Sequence, residues 1–330
     1  MSRIAVIGAG AWGTALTISL ARRGGHSVVL WSYVPELAQE IRETGVNKPF
    51  LPGYVVPAGV GVTSDLAKAV EGAEIVLCVT PSEHMRRTVG QIAPLLTRDQ
   101  IVVSATKGLE EVSLLRMSQV IASLTDNACG VVSGPTFAAE VAAGIPTAMV
   151  AAASVPGVAL TIQKEFSSGT LRLYTNDDVA GVELGGSLKN VIALAAGVVN
   201  GLDLGYNSAA ALITRGIAEI TRLAVACGGR RQTLAGLSGV GDLVLTCTGS
   251  LSRNRTVGIE LGKGRELGEI LAGLHGQVAE GVRCTAAALG LAARYGVEMP
   301  ITEQMDAILH RGKSPKEAIR ELMARPGRDE

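Results

Sequence analysis

The chain has 330 residues, with 30 basic and 30 acidic side chains that cancel, 47% apolar and only 3% aromatic residues, and a mean hydropathy of +0.32. That length exceeds one ordinary core and predicts two domains built mainly from Ala, Val, Leu and Ile. Zero net charge without a long block of either sign excludes nucleic acid and an anionic membrane surface as expected partners.

Met1 to Gly8 carry one positive charge and then only four apolar residues before the glycine, too short for a signal-peptide core. The five cysteines, Cys78, Cys129, Cys227, Cys247 and Cys284, are widely spaced with no C-x-x-C pair, and read as buried thiols in a reducing compartment. A cytoplasmic protein is expected.

From residue 3 to about 175 short apolar runs alternate with longer amphipathic stretches: Ile4–Ile7, Val28–Trp31, Val60–Val62, Ile75–Val79, Ile101–Ser104, Gly130–Val132, Ala148–Ala152 and Leu171–Tyr174. Such alternation predicts βαβ units and a parallel, doubly wound sheet, covered on both faces because several runs are apolar at consecutive positions. Ile145 to Ile162 is apolar enough for a bilayer, but Pro146, Thr147, Ser154, Pro156 and Gly157 interrupt it, so a strand, a turn and a helix start are expected. After Asn176 strand-like runs cease and Ala and Leu recur at helical spacing, as in Ala209, Leu212, Ile213, Ile217, Ile220, Leu223 and Ala224, a core-facing stripe. The fold class predicted is an α/β N-terminal Rossmann-type domain over 1–178 and an all-α C-terminal domain over 179–330.

Directly after the first strand, Gly8-Ala9-Gly10-Ala11-Trp12-Gly13 opens a helical stretch. In that context G-x-G-x-x-G is a dinucleotide signature: Gly8 permits the tight turn, Gly10 lets backbone approach a pyrophosphate, Gly13 allows close helix packing, and the helix N-terminus attracts the anion. An acid at the end of the second strand would favour NAD and a basic residue NADP. The strand ends Trp31-Ser32-Tyr33, with Glu36 the nearest acid and no Arg or Lys in its place. Ser32 and Tyr33 could hydrogen-bond a phosphate, so the choice between NADH and NADPH stays open, NADP being slightly favoured.

The histidines, His26, His84, His275 and His310, form no H-E-x-x-H pair, so no metal is expected. Gly236-Leu237-Ser238-Gly239-Val240 lacks the second glycine of a nucleophile elbow. What remains are polar residues in apolar or glycine-rich surroundings: Lys107, Lys189, Asn190, Asp242, Ser252, Arg253, Asn254 and Glu280. Lys107 follows a strand, where ligands bind in α/β sheets, or it is a solvated loop lysine. Lys189 sits in Glu183–Leu194, which otherwise reads as a buried helix; beside a carbonyl it could donate a proton to a developing alkoxide, or it snorkels to the surface. Asp242 either caps a helix or partners Lys189. Ser252, Arg253 and Asn254 suit a phosphate clamp, or a solvated loop with a helix cap.

Ala105–Glu110, Ser133–Ala138, Ser187–Asn190, Gly239–Leu243 and Ser252–Arg255, with the glycine signature, resemble in order the motifs of the bacterial-type NAD(P)-dependent glycerol-3-phosphate dehydrogenase family. The resemblance covers nearly the whole chain. It implies an oxidoreductase that reversibly reduces dihydroxyacetone phosphate to sn-glycerol 3-phosphate for phospholipid synthesis, and that works as a homodimer. It further implies Lys189 as proton donor and acceptor, with Lys107 and Asp242 beside it in the catalytic set. Lys107, Gly134, Thr136, Asp242, Ser252, Arg253 and Asn254 match substrate contacts; Gly8, Gly10, Ala11, Trp12, Gly13, Lys107, Ala138, Arg253, Val278 and Glu280 match cofactor contacts. Two departures stand out: Ala11 where many members carry a small polar residue, and Ser32-Tyr33 where many carry a basic one. A β-hydroxyacid or 6-phosphogluconate dehydrogenase is the rival enzyme, disfavoured by the Ser252–Arg255 segment. A dinucleotide-sensing regulator is disfavoured by Lys107, Lys189 and Asp242, which a sensor need not keep.

Overall fold

The computed structural model describes residues 2–274 and 279–327. Two compact units divide the chain, Met1–Glu110 with Leu115–Glu183, and Glu111–Leu114 with Leu184–Glu330.

The first unit holds one eight-stranded sheet: β1 (Ser2–Ile7), β2 (His26–Trp31), β3 (Gly61–Thr63), β4 (Ile75–Cys78), β5 (Ile101–Ser104), β6 (Cys129–Ser133), β7 (Thr147–Ala152) and β8 (Leu171–Asn176). Its helices are α1 (Ala11–Arg23), α2 (Pro35–Thr44), α3 (Leu66–Val70), α4 (Ser82–Ile92), α5 (Met117–Ala122), α6 (Ala138–Ala143) and α7 (Val158–Phe166). All eight strand-like runs of the sequence are strands, and the interrupted apolar stretch resolves into β7, a turn and α7. The order is β3-β2-β1-β4-β5-β6-β7-β8, so the chain moves outward from β1 in one direction and then, through β4, in the other. β1 shows why the runs are continuous: Ile4 and Val6 join the apolar cluster under α1, while Ala5 and Ile7 join the one that contains Met85 and Val89 of α4.

The predicted parallel sheet holds from β1 through β6, but β7 pairs antiparallel with β6, with Ser133 opposite Val150. The connector offers only the six-residue α6, about 9 Å of helix. β7 therefore starts beside the end where β6 stops and runs back along it.

The second unit is helical: α8 (Val179–Gly201, whose first residues belong to the first unit), α9 (Gly205–Ala226), α10 (Arg231–Leu234), α11 (Asp242–Thr248), α12 (Arg253–Gly262), α13 (Leu267–Ala272), α14 (Glu280–Tyr295), α15 (Pro300–His310) and α16 (Pro315–Met323). By length and composition α8 could cross a bilayer, yet its apolar window is wholly buried in the protein; it is a core helix. Its contact with α12 is made through glycine. A Cβ on Gly197 would lie 2.2 Å from Arg255 O, and one on Gly258 would lie 2.0 Å from Leu194 O. The predicted stripe on α9 is buried at Ile220, Leu223 and Ala224 but only half-buried at Ala209, Leu212 and Ile213, and Tyr206 at its start is 95% exposed.

Candidate active site

In the first unit the glycine signature forms the turn between β1 and α1, at the carboxyl end of the sheet where β1 meets β4. Gly8 has φ of +129°, and a Cβ there would stand 2.7 Å from Val79 O. At Gly13 a Cβ would meet Gly8 O at 1.9 Å, whereas the same atom on Gly10 meets nothing within 4 Å. Two of the glycines therefore close the turn and the third leaves an open cradle before the helix N-terminus, a fit for a pyrophosphate. Asn47, fully buried, pins the turn by donating to Ala9 O and to Thr14 Oγ1, both at 2.8 Å. Thr80, two residues beyond the end of β4, has a buried hydroxyl with no hydrogen-bond partner among the described residues. A polar ligand in the crevice would supply that partner. Ala11 and Trp12 begin α1, half-buried, and Ala138 begins α6, which packs beside α1.

Lys107 follows β5. Its Nζ donates to Gly134 O at 2.9 Å, and Thr136 Oγ1 is 3.5 Å away. The fold thus gathers three of the expected substrate contacts at neighbouring strand ends. Gly134 is required there: its φ is +150°, and a Cβ would press to 2.9 Å from Met149 Cα. Ser32 is buried, its hydroxyl donating to Val34 O, while Tyr33 is exposed.

In the second unit Lys189 lies on α8, 5% exposed. Its ammonium donates to the Asp242 carboxylate and, at 2.7 Å, to Thr246 Oγ1. Asp242 is fully buried at the start of α11, after a π-helical turn, Leu237–Gly241. It is a partner of Lys189; the N-cap of α11 is Gly241, which has no side chain to cap it. The turn is pressed close: a Cβ on Gly239 would meet Leu234 O at 2.0 Å, and one on Gly185 of α8 would meet Ser238 O at 2.5 Å. Lys189 is neither snorkelled nor isolated but buried, with a carboxylate and a hydroxyl among the groups that hold it. Beside it Cys247 is pushed up to about 12 by burial, so its thiol stays protonated and non-nucleophilic.

Asn190, adjacent on α8, accepts from Asn254 Nδ2 at 3.0 Å, and Asn254 Oδ1 accepts from Gly281 N at 3.0 Å. Asn254 is thus a buried strut joining α8, α12 and the start of α14. Ser252 caps α12, accepting from Arg255 N at 3.3 Å, as the helix-cap alternative had it. Arg253, first residue of α12, is exposed and forms no hydrogen bond or ion pair among the described residues. Of the three clamp residues it alone carries a charge, and Glu280 is the acid that acts on it. Glu280 begins α14. Val278 lies outside the described residues. No cluster of His, Cys, Asp or Glu that could hold a metal occurs among the described residues. Sequence reasoning missed Thr246, Thr80 and Asn47, single residues in unremarkable local sequence whose roles exist only through contacts.

The first unit has the strand order of a dinucleotide-binding Rossmann domain, and the second adds a buried lysine suited to proton transfer, the two parts of a nicotinamide-dependent dehydrogenase. Residues 3–159 match the family described as NAD-dependent glycerol-3-phosphate dehydrogenase N-terminus, and residues 178–320 the corresponding C-terminus. The chain belongs to the NAD-dependent glycerol-3-phosphate dehydrogenase family. Glycerol-3-phosphate dehydrogenase [NAD(P)+] of Koribacter versatilis is 61% identical over 334 residues, covering 100% of this chain and 99% of the relative. The same enzyme of Acidobacterium capsulatum is 61% identical over 338 residues, covering all of both chains. A crystal structure of glycerol-3-phosphate dehydrogenase from Coxiella burnetii superposes with a TM-score of 0.94 at 41% identity, covering 98% of this chain and 99% of that one.

Proposed function

We propose that the protein reversibly reduces dihydroxyacetone phosphate to sn-glycerol 3-phosphate with NADH or NADPH, Lys189 moving the proton. The observation that carries this reading is the buried Lys189–Asp242–Thr246 set in a chain whose full length aligns with dehydrogenases of that name. The dinucleotide, when bound, supplies or accepts a hydride at the substrate's C2. Residues 1–178 form the dinucleotide domain and 179–330 the substrate domain in this reading.

Gly8, Gly10 and Gly13 hold the pyrophosphate against the N-terminus of α1, flanked by Ala11, Trp12 and Ala138; Arg253, Val278 and Glu280 complete the cofactor contacts. Lys189 Nζ donates a proton to the C2 oxygen as hydride arrives at carbon, so that a C–H and an O–H bond form together and no alkoxide is left unneutralised. In the reverse direction the neutral amine takes the hydroxyl proton. Asp242 fixes the ammonium in place and stabilises its charge, and Thr246 sets its orientation. Lys107, Gly134, Thr136, Ser252, Arg253 and Asn254 bind the substrate, with the guanidinium of Arg253 as the natural partner of its phosphate. The fully protonated thiols of Cys78 and Cys284, both pushed up to about 12 by burial, suit a reducing compartment, and a cytoplasmic homodimer supplying phospholipid synthesis is the setting that accompanies this reading.

The test is loss of reduced-nicotinamide absorbance when purified protein meets dihydroxyacetone phosphate with either cofactor. Oxidation that disappears by about a hundredfold or more in Lys189→Ala, with dinucleotide binding retained, is the expected result. Wild-type-like turnover in that variant removes Lys189 from its role. Cofactor binding without oxidation of either form moves the chain to another substrate or to the sensor reading.

A further inference from the structure

The residues at the end of β2 look poorly equipped for the 2′-phosphate that distinguishes NADP from NAD. Ser32 is 1% exposed, and its hydroxyl is committed to the local turn, donating to Val34 O at 2.9 Å and accepting from Val34 N at 3.2 Å. Tyr33 is 64% exposed and stands edge-on to Trp31, ring centroids 6.2 Å apart. Over the Tyr33 ring lies a residue from elsewhere in the chain: the guanidinium carbon of Arg87, on α4, is 4.9 Å from the ring centroid.

The packing explains its position. Met85 and Val89 of α4 are fully buried in the same apolar cluster as Trp31, while Arg87 on the same helix stays exposed. Neighbouring Arg86 is clamped by both oxygens of Glu110, at 2.7 and 2.8 Å. Arg87 has no carboxylate within ion-pair distance and donates no hydrogen bond among the described residues. Glu83, the acid in the first turn of α4, lies 3.7 Å from His84, and Glu36, in the first turn of α2, is exposed. An oriented cation without a counter-ion therefore sits where an adenosine ribose comes to rest in a Rossmann unit.

We infer that Arg87, stacked on Tyr33, receives the 2′-phosphate of NADP and gives this chain its preference for NADPH over NADH. The inference rests on the dinucleotide reading of the Gly8–Gly13 turn. A guanidinium matches a phosphate dianion with two parallel N–H donors, and stacking on the ring restricts the side chain before the ligand arrives, which lowers the entropy lost on binding. With no acid fixed at the end of β2 to bond a ribose hydroxyl, NADH gains nothing there.

Calorimetric titration of the full chain with NADPH, NADH, adenosine 2′,5′-bisphosphate and adenosine 5′-monophosphate tests this without turnover. Wild type is expected to bind NADPH more tightly than NADH. Arg87→Gln weakens NADPH and the bisphosphate by about tenfold to a hundredfold, the range of a charge-assisted hydrogen-bonded pair, and leaves NADH and the monophosphate nearly unchanged. Tyr33→Leu, which removes the ring but not the charge, weakens NADPH by a few-fold at most. Equal losses for NADPH and NADH in Arg87→Gln would mean that the guanidinium stacks on adenine instead, and the inference fails; it fails too if neither ligand is weakened, or if wild type binds NADH but not NADPH. Wild type that binds no dinucleotide refutes the reading of the glycine turn itself.

Discussion

Replacing Gly258 by Ala puts a methyl where α12 crosses α8. That Cβ would lie 2.0 Å from Leu194 O and 2.9 Å from Gly197 Cα, against an ordinary contact that begins at 3.4 Å. Both obstacles are backbone, so no rotamer change relieves them, and the helices must part by more than an ångström. Overpacking of this kind costs about 3 kcal/mol, and for a unit of this size that lowers the melting temperature by roughly 6 to 12 °C. The same displacement strains the 3.0 Å bond from Asn254 to Asn190 beside Lys189, and misplacement of about 1 Å in a catalytic set can lower turnover up to about a hundredfold. Gly90→Ala is the control, because Gly90 is exposed within α4 and a Cβ there meets nothing within 4 Å; it should stabilise by about 0.4–1 kcal/mol. Thermal melts followed by circular dichroism, with steady-state kinetics on the same samples, read both effects. A Gly258→Ala protein that melts with the wild type and turns over normally would refute the claim that glycine contact between α8 and α12 positions the site.

Thr246→Val keeps the shape but removes the acceptor 2.7 Å from Lys189 Nζ; a fall in kcat of about tenfold, with some loss of stability, is expected from the loss of one hydrogen bond to a buried charged group, and recovery of both in Thr246→Ser checks it. Glu219, 1% exposed on α9, accepts from Ile301 N, Thr302 N and Thr302 Oγ1 at the start of α15, and burial raises its carboxyl above the usual range despite those bonds. A raised carboxyl pKa means that protonation favours the folded state. The wild-type-minus-Glu219→Gln difference in unfolding free energy should therefore fall as pH rises from the ordinary carboxylate value through the raised one; urea melts that give a pH-independent difference would exclude this. Cys78, Cys247 and Cys284, all buried with thiols pushed up to about 12, should resist alkylation at neutral pH until the protein unfolds, as mass spectrometry of labelled peptides will show.

The eight strand runs and the glycine signature were legible because they are local: a strand covered on both faces must be apolar at consecutive residues, and the turn before α1 needs glycine where Cβ atoms would strike Val79 or Gly8. Lys189 was legible for the opposite reason, a charge in a run too apolar to leave it at the surface. The reversal of β7 was missed because apolar periodicity reports which faces of a strand are covered and not which way the strand runs. Ser252 also caps α12 and Asn254 also bridges α8 and α14, contacts that a cluster of polar residues in a loop cannot reveal in advance.

By itself the sequence determined the class of fold, the dinucleotide turn and the identity of the buried lysine, since each follows from periodicity, glycine geometry or the cost of burying charge within a few consecutive residues. Only the tertiary structure decided what those residues touch. Thr246 of α11 meets Lys189 of α8 across 57 positions of sequence, and Arg87 stands over Tyr33 where α4 and Trp31 are buried in one apolar cluster. Partners far apart along the chain leave no local pattern, and their meeting is fixed by which apolar faces bury one another.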